Sequence, residues 1–309
     1  MNLATIDVGT NTTLLLVART EHEVAPLEEK AEITRLGRGI GHSGVLGAAG
    51  IARTLEVLRD YATTARAYKA PIRAVGTEAL RRARNARAFL DPAAEILGAP
   101  IEVIDGAREA ALSFRAVQQS FPAEAARGPM VVVDIGGGST EIIVSDRAEV
   151  RFHTSLPLGS VRLTERHLRA DPPAVAELTA LETEVAAALA AVPFPAPGSA
   201  TLIGVAGTVT SLGAMVQRLN SYDPTRVHGF VLSRTALEVE IAILSASTQS
   251  ERERMPGLDP RRADVILAGA LILLGVARAA GAPHIVVSDR GIRWGLLYET
   301  IEQRASRGA

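Results

Sequence analysis

The stretch VVVDIGGGST, residues 131–140, decides the fold of this chain. Its apolar start predicts a buried strand that ends at Asp134, and the three glycines that follow predict a tight turn. Beyond Glu141 the sequence is again apolar and rich in branched side chains. Two such strands joined by a short glycine turn form a β-hairpin. The stretch therefore predicts a hairpin that carries an acid beside a glycine turn.

The same pattern occurs near the N-terminus as IDVGTNTT, residues 6–13, followed by the apolar residues 14–17. Asp7 and Asp134 occupy the same place in the two copies, 127 residues apart. This spacing is close to the length of one domain, so a duplication is predicted. Each copy contributes a hairpin in which an acid precedes a turn of glycine and hydroxyl residues.

Strands alternate with helices after each hairpin, which favours layered α/β domains. The predicted strands are residues 72–75, 101–104, 201–205 and 285–287. The predicted helices are residues 78–90, 107–119, 209–218, 265–277 and 292–304. A flexible loop is predicted at residues 39–44, and a turn-rich linker at residues 121–129. The domains are therefore predicted as residues 1–125 and 126–309, with the last helix packing back on the first domain.

The composition excludes several classes of protein. The chain has 309 residues, of which 47% are hydrophobic, and this is enough for about two packed cores. With 33 Lys and Arg against 34 Asp and Glu, the net charge of -1 argues against a nucleic-acid coat. The absence of cysteine excludes disulfides and thiolate metal sites. The six histidines, His22 among them, show no ligand spacing.

Nothing in the sequence predicts export or a membrane span. The N-terminal residues include Asp7 and no basic cluster, unlike a signal peptide. The longest strongly apolar run, residues 265–277, is shorter than the roughly 20 residues that cross a bilayer, so it predicts a buried helix. The protein is therefore predicted to be soluble and cytoplasmic.

Three turns have the composition of phosphate-binding loops. Backbone amides in glycine turns, with hydroxyls and helix N-termini beside them, form sites that suit anions. One such turn alone is more often an ordinary tight turn, but the duplication favours a shared role for the first two. The candidate phosphate-binding residues are Gly9, Thr10, Asn11 and Thr12, then Gly136, Gly137, Gly138 and Ser139, and finally Gly207 and Thr208.

Three acids beside these turns are candidate ligands of a divalent metal. Asp7 and Asp134 end the strands before the turns, and Glu141 starts the strand after the second turn. Carboxylates next to phosphate are typical ligands of Mg²⁺. The alternative is that Asp7 and Asp134 only cap their turns through hydrogen bonds. That alternative explains one acid better than it explains the pair.

Glu109 and Arg81 are the candidate catalytic residues. Glu109 lies in the first turn of a predicted helix, where it would act as a base toward an attacking water. The helix dipole also favours an acid at this position, whatever its role. Arg81 is predicted to stabilise charge on a transferring phosphoryl group. It belongs to a basic cluster with Arg82, Arg84 and Arg87, for which a solvated helix face is the alternative.

Together these motifs resemble the exopolyphosphatase and guanosine pentaphosphate phosphatase (Ppx/GppA) family. The matching segments are IDVGTNTTLLLV from Ile6, AVGTEALRRARN from Ala74, IEVIDGAREA from Ile101, VVVDIGGGSTEI from Val131, GVAGTVTSL from Gly204 and VVSDRGIRWGLL from Val286. The resemblance implies an α/β fold of two related actin-like domains facing a phosphate cleft, as in sugar kinases. It also implies Mg²⁺- or Mn²⁺-dependent release of terminal orthophosphate from inorganic polyphosphate, or from the 5′ end of guanosine pentaphosphate.

By the same resemblance, Glu109 matches the catalytic Glu of the family and Arg81 the arginine of its second segment. Asp134 and Glu141 match the metal-associated acids, and the three turns match the phosphate loops. Two features depart from the family. Leu14 stands where many members carry a basic residue, and the helical C-terminal region of longer members, related to HD phosphohydrolases, is not expected here. The first departure concerns one phosphate contact, and the second concerns the binding of long polyphosphate and hence processivity.

Two other functions stay open on the sequence. An actin-like kinase or ATPase would need a nucleoside site beside residues 204–208, and the Glu109 motif disfavours it. A non-catalytic sensor of polyphosphate or of a guanosine tetra- or pentaphosphate alarmone is disfavoured because all the expected acids are present. Nucleic acid and membrane are not expected partners. The oligomeric state stays open, a homodimer being the commonest soluble assembly.

Overall fold

The chain folds into two compact units, which are described separately. The computed structural model describes residues 1–21 and 23–308, so His22 and Ala309 lie outside the described residues. The first unit contains Met1–Ala116 and the C-terminal helix, and the second unit contains Val117–Gly291. The domain boundary predicted from the sequence, between residues 125 and 126, lies within the second of these units.

A five-stranded mixed sheet forms the centre of the first unit. Its strands are β1 (Asn2–Val8), β2 (Thr12–Arg19), β3 (Ala25–Ile33), β4 (Ile72–Gly76) and β5 (Ile101–Val103). Their order in the sheet is β3-β2-β1-β4-β5. The first three strands are antiparallel, whereas β4 runs parallel to β1 and β5 parallel to β4. Because β1 is central, all of its residues after Asn2 are buried.

The second unit has a six-stranded mixed sheet. Its strands are β6 (Pro129–Ile135), β7 (Thr140–Asp146), β8 (Glu149–Leu156), β9 (Thr201–Val205), β10 (Val231–Ser233) and β11 (His284–Val287). Their order is β10-β11-β9-β6-β7-β8. The strands β6, β7 and β8 are antiparallel, and β9 and β11 run parallel to β6. The short strand β10 adds an antiparallel edge next to β11.

The duplication predicted from the two hairpins is confirmed. Both sheets contain an antiparallel meander followed by two parallel strands on the other side of the first strand. The hairpins also share their register, since Asp7 pairs with Leu14 and Asp134 pairs with Glu141. In each turn the first glycine donates its amide hydrogen to a carbonyl three residues later, at 3.0 Å. The repeat therefore extends to individual hydrogen bonds.

Helices cover the sheets. The first unit contains α1 (Ile40–Ser43), α2 (Ala48–Ala67), α3 (Glu78–Arg82), α4 (Arg87–Leu97), most of α5 (Gly106–Ser120), and α14 (Ile292–Gly308). The second unit contains α6 (Pro122–Arg127), α7 (Ser160–His167), α8 (Val175–Leu189), α9 (Ala206–Val216), α10 (Pro224–Val227), α11 (Arg234–Ala246), α12 (Gln249–Arg252) and α13 (Ile266–Ala279). A 3₁₀ turn, Pro260–Arg262, precedes α13.

Each unit has its own hydrophobic core. In the first unit, Ile6 of β1 lies in one cluster with Leu58 of α2 and Phe89 of α4. In the second unit, α13 is buried on nearly all sides, which explains the apolar run from which a buried helix was predicted. Over the part of the chain that the structure describes, no helix is both long and apolar enough to span a membrane.

The C-terminal helix packs on the sheet of the first unit. Trp294 and Leu297 of α14 share a hydrophobic cluster with Leu3 and Leu16 of the two central strands. A Cβ atom added to Gly295 would come within 2.0 Å of the backbone oxygen of Leu112 in α5. The helices α14 and α5 are therefore in direct backbone contact at this glycine.

Several predictions of local structure are wrong, and three of them concern residues 39–44, 78–90 and 121–129. The single helix predicted over residues 78–90 is two helices, α3 and α4. The break is held by the side chain of Asn85, which exchanges two hydrogen bonds with the backbone of Leu46, so a tertiary contact overrides helix propensity. The predicted linker at residues 121–129 contains α6, because a proline in the first turn favours a helix. The loop predicted at residues 39–44 includes the one-turn helix α1.

Candidate active site

Hydrogen bonds from the start of helix α7 hold the turn of residues 136–139 on one side. All three glycine carbonyl oxygens of the turn accept hydrogen bonds from the start of that helix. The pairs are Ser160 N–H to Gly136 O (3.0 Å), Val161 and Arg162 N–H to Gly137 O (3.0 and 3.1 Å), and Arg162 Nε–H to Gly138 O (2.7 Å). A trans peptide directs its C=O and the following N–H to opposite sides, so the N–H groups of residues 137–139 point away from α7. Three successive amides in such a turn suit an anion.

The turn of residues 9–12 in the first unit is built in the same way. The carbonyl oxygens of Thr10 and Asn11 accept hydrogen bonds from the N–H groups of Gly37 and Arg35, both at 2.9 Å. The N–H groups that follow these two carbonyls therefore point away from the supporting segment. A loop supports this turn and a helix supports the other, but both turns present backbone amides on the opposite side.

Buried threonines anchor the two hairpins at equivalent positions. Thr13 Oγ1 lies 3.1 Å from Thr34 Oγ1, and Thr140 donates its hydroxyl hydrogen to the carbonyl of Leu158 at 2.6 Å. Both threonines are fully buried. Each hydroxyl ties the second strand of its hairpin to the segment behind the turn. The position of both candidate phosphate loops is thus fixed by side chains as well as by backbone hydrogen bonds.

Asp134 and Glu141 face each other across the second hairpin. They are paired residues of β6 and β7, so their side chains emerge on the same face of the sheet. They are 5% and 2% exposed, and the Ser155 hydroxyl donates to Glu141 Oε1 at 2.7 Å. Two buried carboxylates in opposite positions repel each other, and a cation bound by both would relieve that repulsion. The pair fits Mg²⁺, which takes one or two carboxylates together with phosphate oxygens and water.

Asp7 occupies the equivalent place in the first unit but has a different partner across the hairpin. It pairs with Leu14, where the second unit has Glu141. Of the three predicted metal ligands, the structure thus pairs Asp134 with Glu141 within one unit. Among residues 1–21 and 23–308, no group of three His, Cys, Asp or Glu side chains is arranged to hold a metal ion.

Glu109 and Arg81 form an ion pair within the first unit. Glu109 lies in the first turn of α5, and Arg81 lies in α3. Arg81 Nη1 is 2.5 Å from Glu109 Oε1 and donates to the carbonyl of Ile104 at 2.6 Å. Glu109 is 3% exposed, whereas 30% of the Arg81 side chain is exposed. The sequence singled out the two residues by separate reasoning, and the structure brings them together. The charged hydrogen bond fixes the direction of the Glu109 carboxylate.

Gly207 and Thr208 lie inside a helix, so the separate turn predicted for them is wrong. Helix α9 begins at Ala206, directly after β9. Ala206 has a φ of 73°, a left-handed conformation that is unfavourable for alanine. This residue makes the sharp change of direction for which the sequence suggested a glycine turn. The amides of the following two residues belong to the first helical turn, which also suits an anion.

Arg262 was missed by the sequence analysis, and it lies directly against Gly207. A Cβ atom on Gly207 would come within 2.2 Å of Arg262 Nη1, so a larger residue at position 207 would force the guanidinium to shift. Burial lowers the pKa of the Arg262 guanidinium, and the charge of Asp259 partly opposes that effect. On the other side, Thr208 packs against Gly269 of α13. The contact between Arg262 and Gly207 depends on tertiary structure, and no local sequence pattern signals it.

Glu78 is another buried acid that the sequence analysis missed. It is 5% exposed, accepts a long hydrogen bond from the Thr10 hydroxyl at 3.4 Å, and pairs with Arg82 at 3.0 Å. The spacing of four residues between Glu78 and Arg82 is visible in the sequence and typical of a helical ion pair. The contact with Thr10 is not visible there. Arg82 therefore neutralises an acid beside the first turn, although the sequence also allowed a purely solvated role for it.

The repeated sheet and the paired amide turns define a duplicated α/β protein of the actin-like class, with turns suited to phosphate. The fold class predicted from the sequence is thereby confirmed. A family model described as the Ppx/GppA phosphatase family matches residues 15–304. The chain therefore belongs to the Ppx/GppA phosphatase family, as its motifs suggested.

Individual relatives agree with this assignment. Exopolyphosphatase 2 of Mycobacterium tuberculosis is 37% identical over 95% of this chain and 97% of the relative. The guanosine-5′-triphosphate,3′-diphosphate pyrophosphatase of Vibrio cholerae is 30% identical over 97% of this chain but only 59% of the relative. The crystal structure of the Aquifex aeolicus member of the Ppx/GppA family is 34% identical, covers 98% of both chains and has a TM-score of 0.83.

Proposed function

We propose that this protein hydrolyses the terminal phosphoanhydride bond of inorganic polyphosphate and releases orthophosphate. The observation that carries the proposal is the second hairpin, where three amides directed away from α7 lie beside the buried acid pair Asp134 and Glu141. Amides of this kind bind phosphate oxygens, and paired carboxylates bind the divalent metal that accompanies them. A regulatory domain that binds no phosphate would not need these amides beside a buried pair of acids.

The metal of this proposal is Mg²⁺ or Mn²⁺, bound by Asp134 and Glu141. When bound, it supplies positive charge that neutralises the phosphate oxygens and the leaving group. Asp7 stays a predicted additional ligand, although its partner across the hairpin is the apolar Leu14. The turns at residues 9–12 and 136–139, and the first turn of α9 with Gly207 and Thr208, are proposed to bind the phosphates.

Glu109 is proposed to orient and deprotonate the attacking water. Arg81 supports this role by donating a hydrogen bond to Oε1 of the carboxylate, so that the carboxylate is already oriented before the reaction. Part of the Arg81 side chain is exposed. It is therefore also proposed to contribute positive charge to the phosphoryl group as the bond breaks. The phosphate held by the backbone amides then leaves as orthophosphate.

Inorganic polyphosphate is preferred as the substrate because of the similarity to the two relatives. The exopolyphosphatase from Mycobacterium tuberculosis is 37% identical to this chain, whereas the guanosine pyrophosphatase from Vibrio cholerae is 30% identical. The 5′ phosphate of guanosine pentaphosphate ends in the same kind of bond and is the second candidate. The kinase or ATPase alternative is not favoured, since the family and these relatives are named as phosphatases or pyrophosphatases.

Phosphate release separates these possibilities. The purified protein is assayed with Mg²⁺ on long polyphosphate, tripolyphosphate, guanosine pentaphosphate and ATP at equal phosphate-end concentrations. We expect the highest kcat/KM on a polyphosphate. Tight binding of polyphosphate without any phosphate release would contradict the proposal and support a sensor, and transfer from ATP to an acceptor would support a kinase. The cytoplasmic location and the homodimer stay predictions from the sequence.

The assignment of the base is tested with Glu109→Gln. This variant keeps the shape of the side chain and loses the charge, and we expect it to fold, to bind tripolyphosphate and to lose about 10² to 10⁴ in kcat. Glu95→Gln is the control, because Glu95 is an exposed residue on α4 of the same unit. Release of phosphate by Glu109→Gln at the wild-type rate would show that another group activates the water.

A further inference from the structure

Arg108 and Glu299 join the first turn of α5 to the C-terminal helix α14. The guanidinium nitrogens Nη1 and Nη2 of Arg108 lie 2.6 and 2.5 Å from the two carboxylate oxygens of Glu299. A bidentate pair of this kind fixes the mutual orientation of its two groups as well as their distance. Glu299 is 6% exposed, so water competes little for the carboxylate.

Neighbouring groups restrain both partners. Arg73 Nη1 lies 3.5 Å from Glu299 Oε2 and donates to the hydroxyl of Thr300 at 3.1 Å. At the start of α5, the Asp105 carboxylate accepts a hydrogen bond from the N–H of Arg108 at 2.8 Å. Burial by itself raises the pKa of Glu299, but the hydrogen bonds and charge of Arg108, together with the charge of Arg73, lower it overall. The pair therefore stays ionised at neutral pH.

Glu109 follows Arg108 in the same helical turn. Successive residues of an α-helix leave the axis about 100° apart. With Arg108 bound to α14, the Glu109 side chain must therefore leave the helix in a different direction, and that direction leads to Arg81. Two ion pairs, Arg108 with Glu299 and Glu109 with Arg81, thus hold the first turn of α5 on two sides. Any rotation or shift of this turn would disturb both pairs.

We propose that Glu299 is a positioning residue, which fixes the first turn of α5 through Arg108 and thereby directs the Glu109 carboxylate. The inference rests on the proposed role of Glu109 as the base. It assigns a role in the reaction to a helix that follows the second unit in the chain and contributes none of the predicted site residues. A misplacement of reacting groups by about 1 Å is enough to reduce a rate by about 10²-fold.

The chain contains a matched control pair on the same two helices. Arg115 of α5 forms an ion pair with Glu302 of α14, farther from the start of α5. Glu302 is 58% exposed at its side chain. Removal of its charge therefore breaks an ion pair between α5 and α14 without touching the turn that carries Glu109. A general loosening of the two helices would affect Glu299→Gln and Glu302→Gln in the same way.

Steady-state kinetics on tripolyphosphate with Mg²⁺ test the proposal. We expect Glu299→Gln to lower kcat by tenfold or more with KM within twofold of wild type, and Glu302→Gln to leave both parameters unchanged. In the Glu109→Gln background, Glu299→Gln should cause no further loss, because it acts through the group already removed. An unchanged kcat, an effect on KM alone, or a full additional loss in the double variant would overturn the proposal.

Amide hydrogen exchange gives a second readout that does not depend on activity. We expect the amides of residues 108–113 to exchange at least tenfold faster in Glu299→Gln than in wild type, and at the wild-type rate in Glu302→Gln. Equal exchange in all three proteins would overturn the inference even if the enzyme is active. A wild-type protein that releases no phosphate would instead overturn the proposed function, while the exchange comparison would still show whether the turn is held.

A second variant covers the case in which Glu299→Gln does not fold. Arg108→Lys keeps the positive charge but cannot form the two parallel hydrogen bonds of a guanidinium. It should show the same loss of kcat and the same faster exchange, each to a smaller extent. Wild-type kcat and wild-type exchange in a folded Arg108→Lys protein would show that the bidentate geometry is unnecessary, and would overturn the proposal.

Discussion

Gly159 offers a way to displace the phosphate turn of residues 136–139 by a known amount. It is the residue before α7, and its own backbone is extended, with φ of -141°. A Cβ atom at this position would lie 2.3 Å from the carbonyl oxygen of Gly137 and 2.5 Å from the carbonyl carbon of Gly138. Ordinary van der Waals contact begins at 3.4 Å, so Gly159→Ala must move the turn and the helix apart by about 1 Å.

The magnitude follows from what can move. The contacting atoms are backbone, and no side-chain rotation relieves the overlap. Overpacking of this kind costs about 1–3 kcal/mol of folding free energy. A shift of about 1 Å in groups that hold the reacting phosphate costs about 10²-fold in rate. We therefore expect kcat/KM for tripolyphosphate to fall by about 10²-fold, and the urea midpoint to fall with it.

Gly47→Ala is the matched control. Gly47 also precedes a helix and also has extended backbone, with φ of -73°, but a Cβ atom there meets nothing within 4 Å. Both substitutions change a glycine at a helix N-cap, so the difference between them isolates the contact with the turn. If Gly159→Ala kept the kcat/KM of Gly47→Ala, the turn would be free to adjust, and the argument that α7 holds it rigidly would be refuted.

Two further predictions concern the first unit. Gly295→Ala should lower the free energy of unfolding of this unit, measured in urea, by about 1–3 kcal/mol or more. Alanine has the better helix propensity, but its Cβ would lie 2.0 Å from the Leu112 oxygen. A free energy of unfolding equal to that of wild type would contradict the close helix contact. The pKa of Glu299 is lowered in the folded protein, so in acid the unfolded chain binds more protons than the folded one. The ionised Glu299 carboxylate therefore stabilises the fold at neutral pH, and this stabilisation is lost as the pH falls below about 4.5. Urea titrations at pH 7 and pH 4 should therefore show a smaller acid loss for Glu299→Gln than for wild type, and equal losses would contradict the assignment.

The hairpins and the duplication could be predicted from the sequence because they depend on local pattern. Apolar runs that end at Asp7 and Asp134, each followed by glycine and hydroxyl residues, specify a strand and a tight turn without reference to the rest of the chain. The helix at residues 265–277 was predictable for the same reason, since its apolar run is too short for a bilayer. These predictions are confirmed by the sheets and by α13.

The errors in predicted local structure have three different causes. The break between α3 and α4 follows from the contact of Asn85 with Leu46, which no helical pattern contains. At residues 121–129 the signal was present but misread, because a proline that opens a helix resembles a proline in a turn. The start of α9 was misplaced because Gly207 was expected to provide a turn, whereas Ala206 adopts the left-handed conformation.

The same limit applies to the candidate site. Residue type and position were enough to single out Glu109 and Arg81, but their contact joins residues from two different helices. Arg262 against Gly207, and Glu78 beside Thr10, are contacts of the same kind. A sequence records which chemical groups are available, whereas the partner of each buried charge depends on packing between elements far apart in the chain.

The place of α14 in the first unit bears on the order in which the protein folds during synthesis. Residues 117–291 are contiguous, so the second unit is completely translated before the last helix appears. The first unit, by contrast, lacks Trp294 and Leu297 from its core, and Glu299 beside Arg108, until residues 292–308 have left the ribosome. The sheet of the first unit is translated before that of the second but is the later of the two to reach its final packing, and the turn that carries Glu109 reaches its final restraint only after Glu299 has left the ribosome.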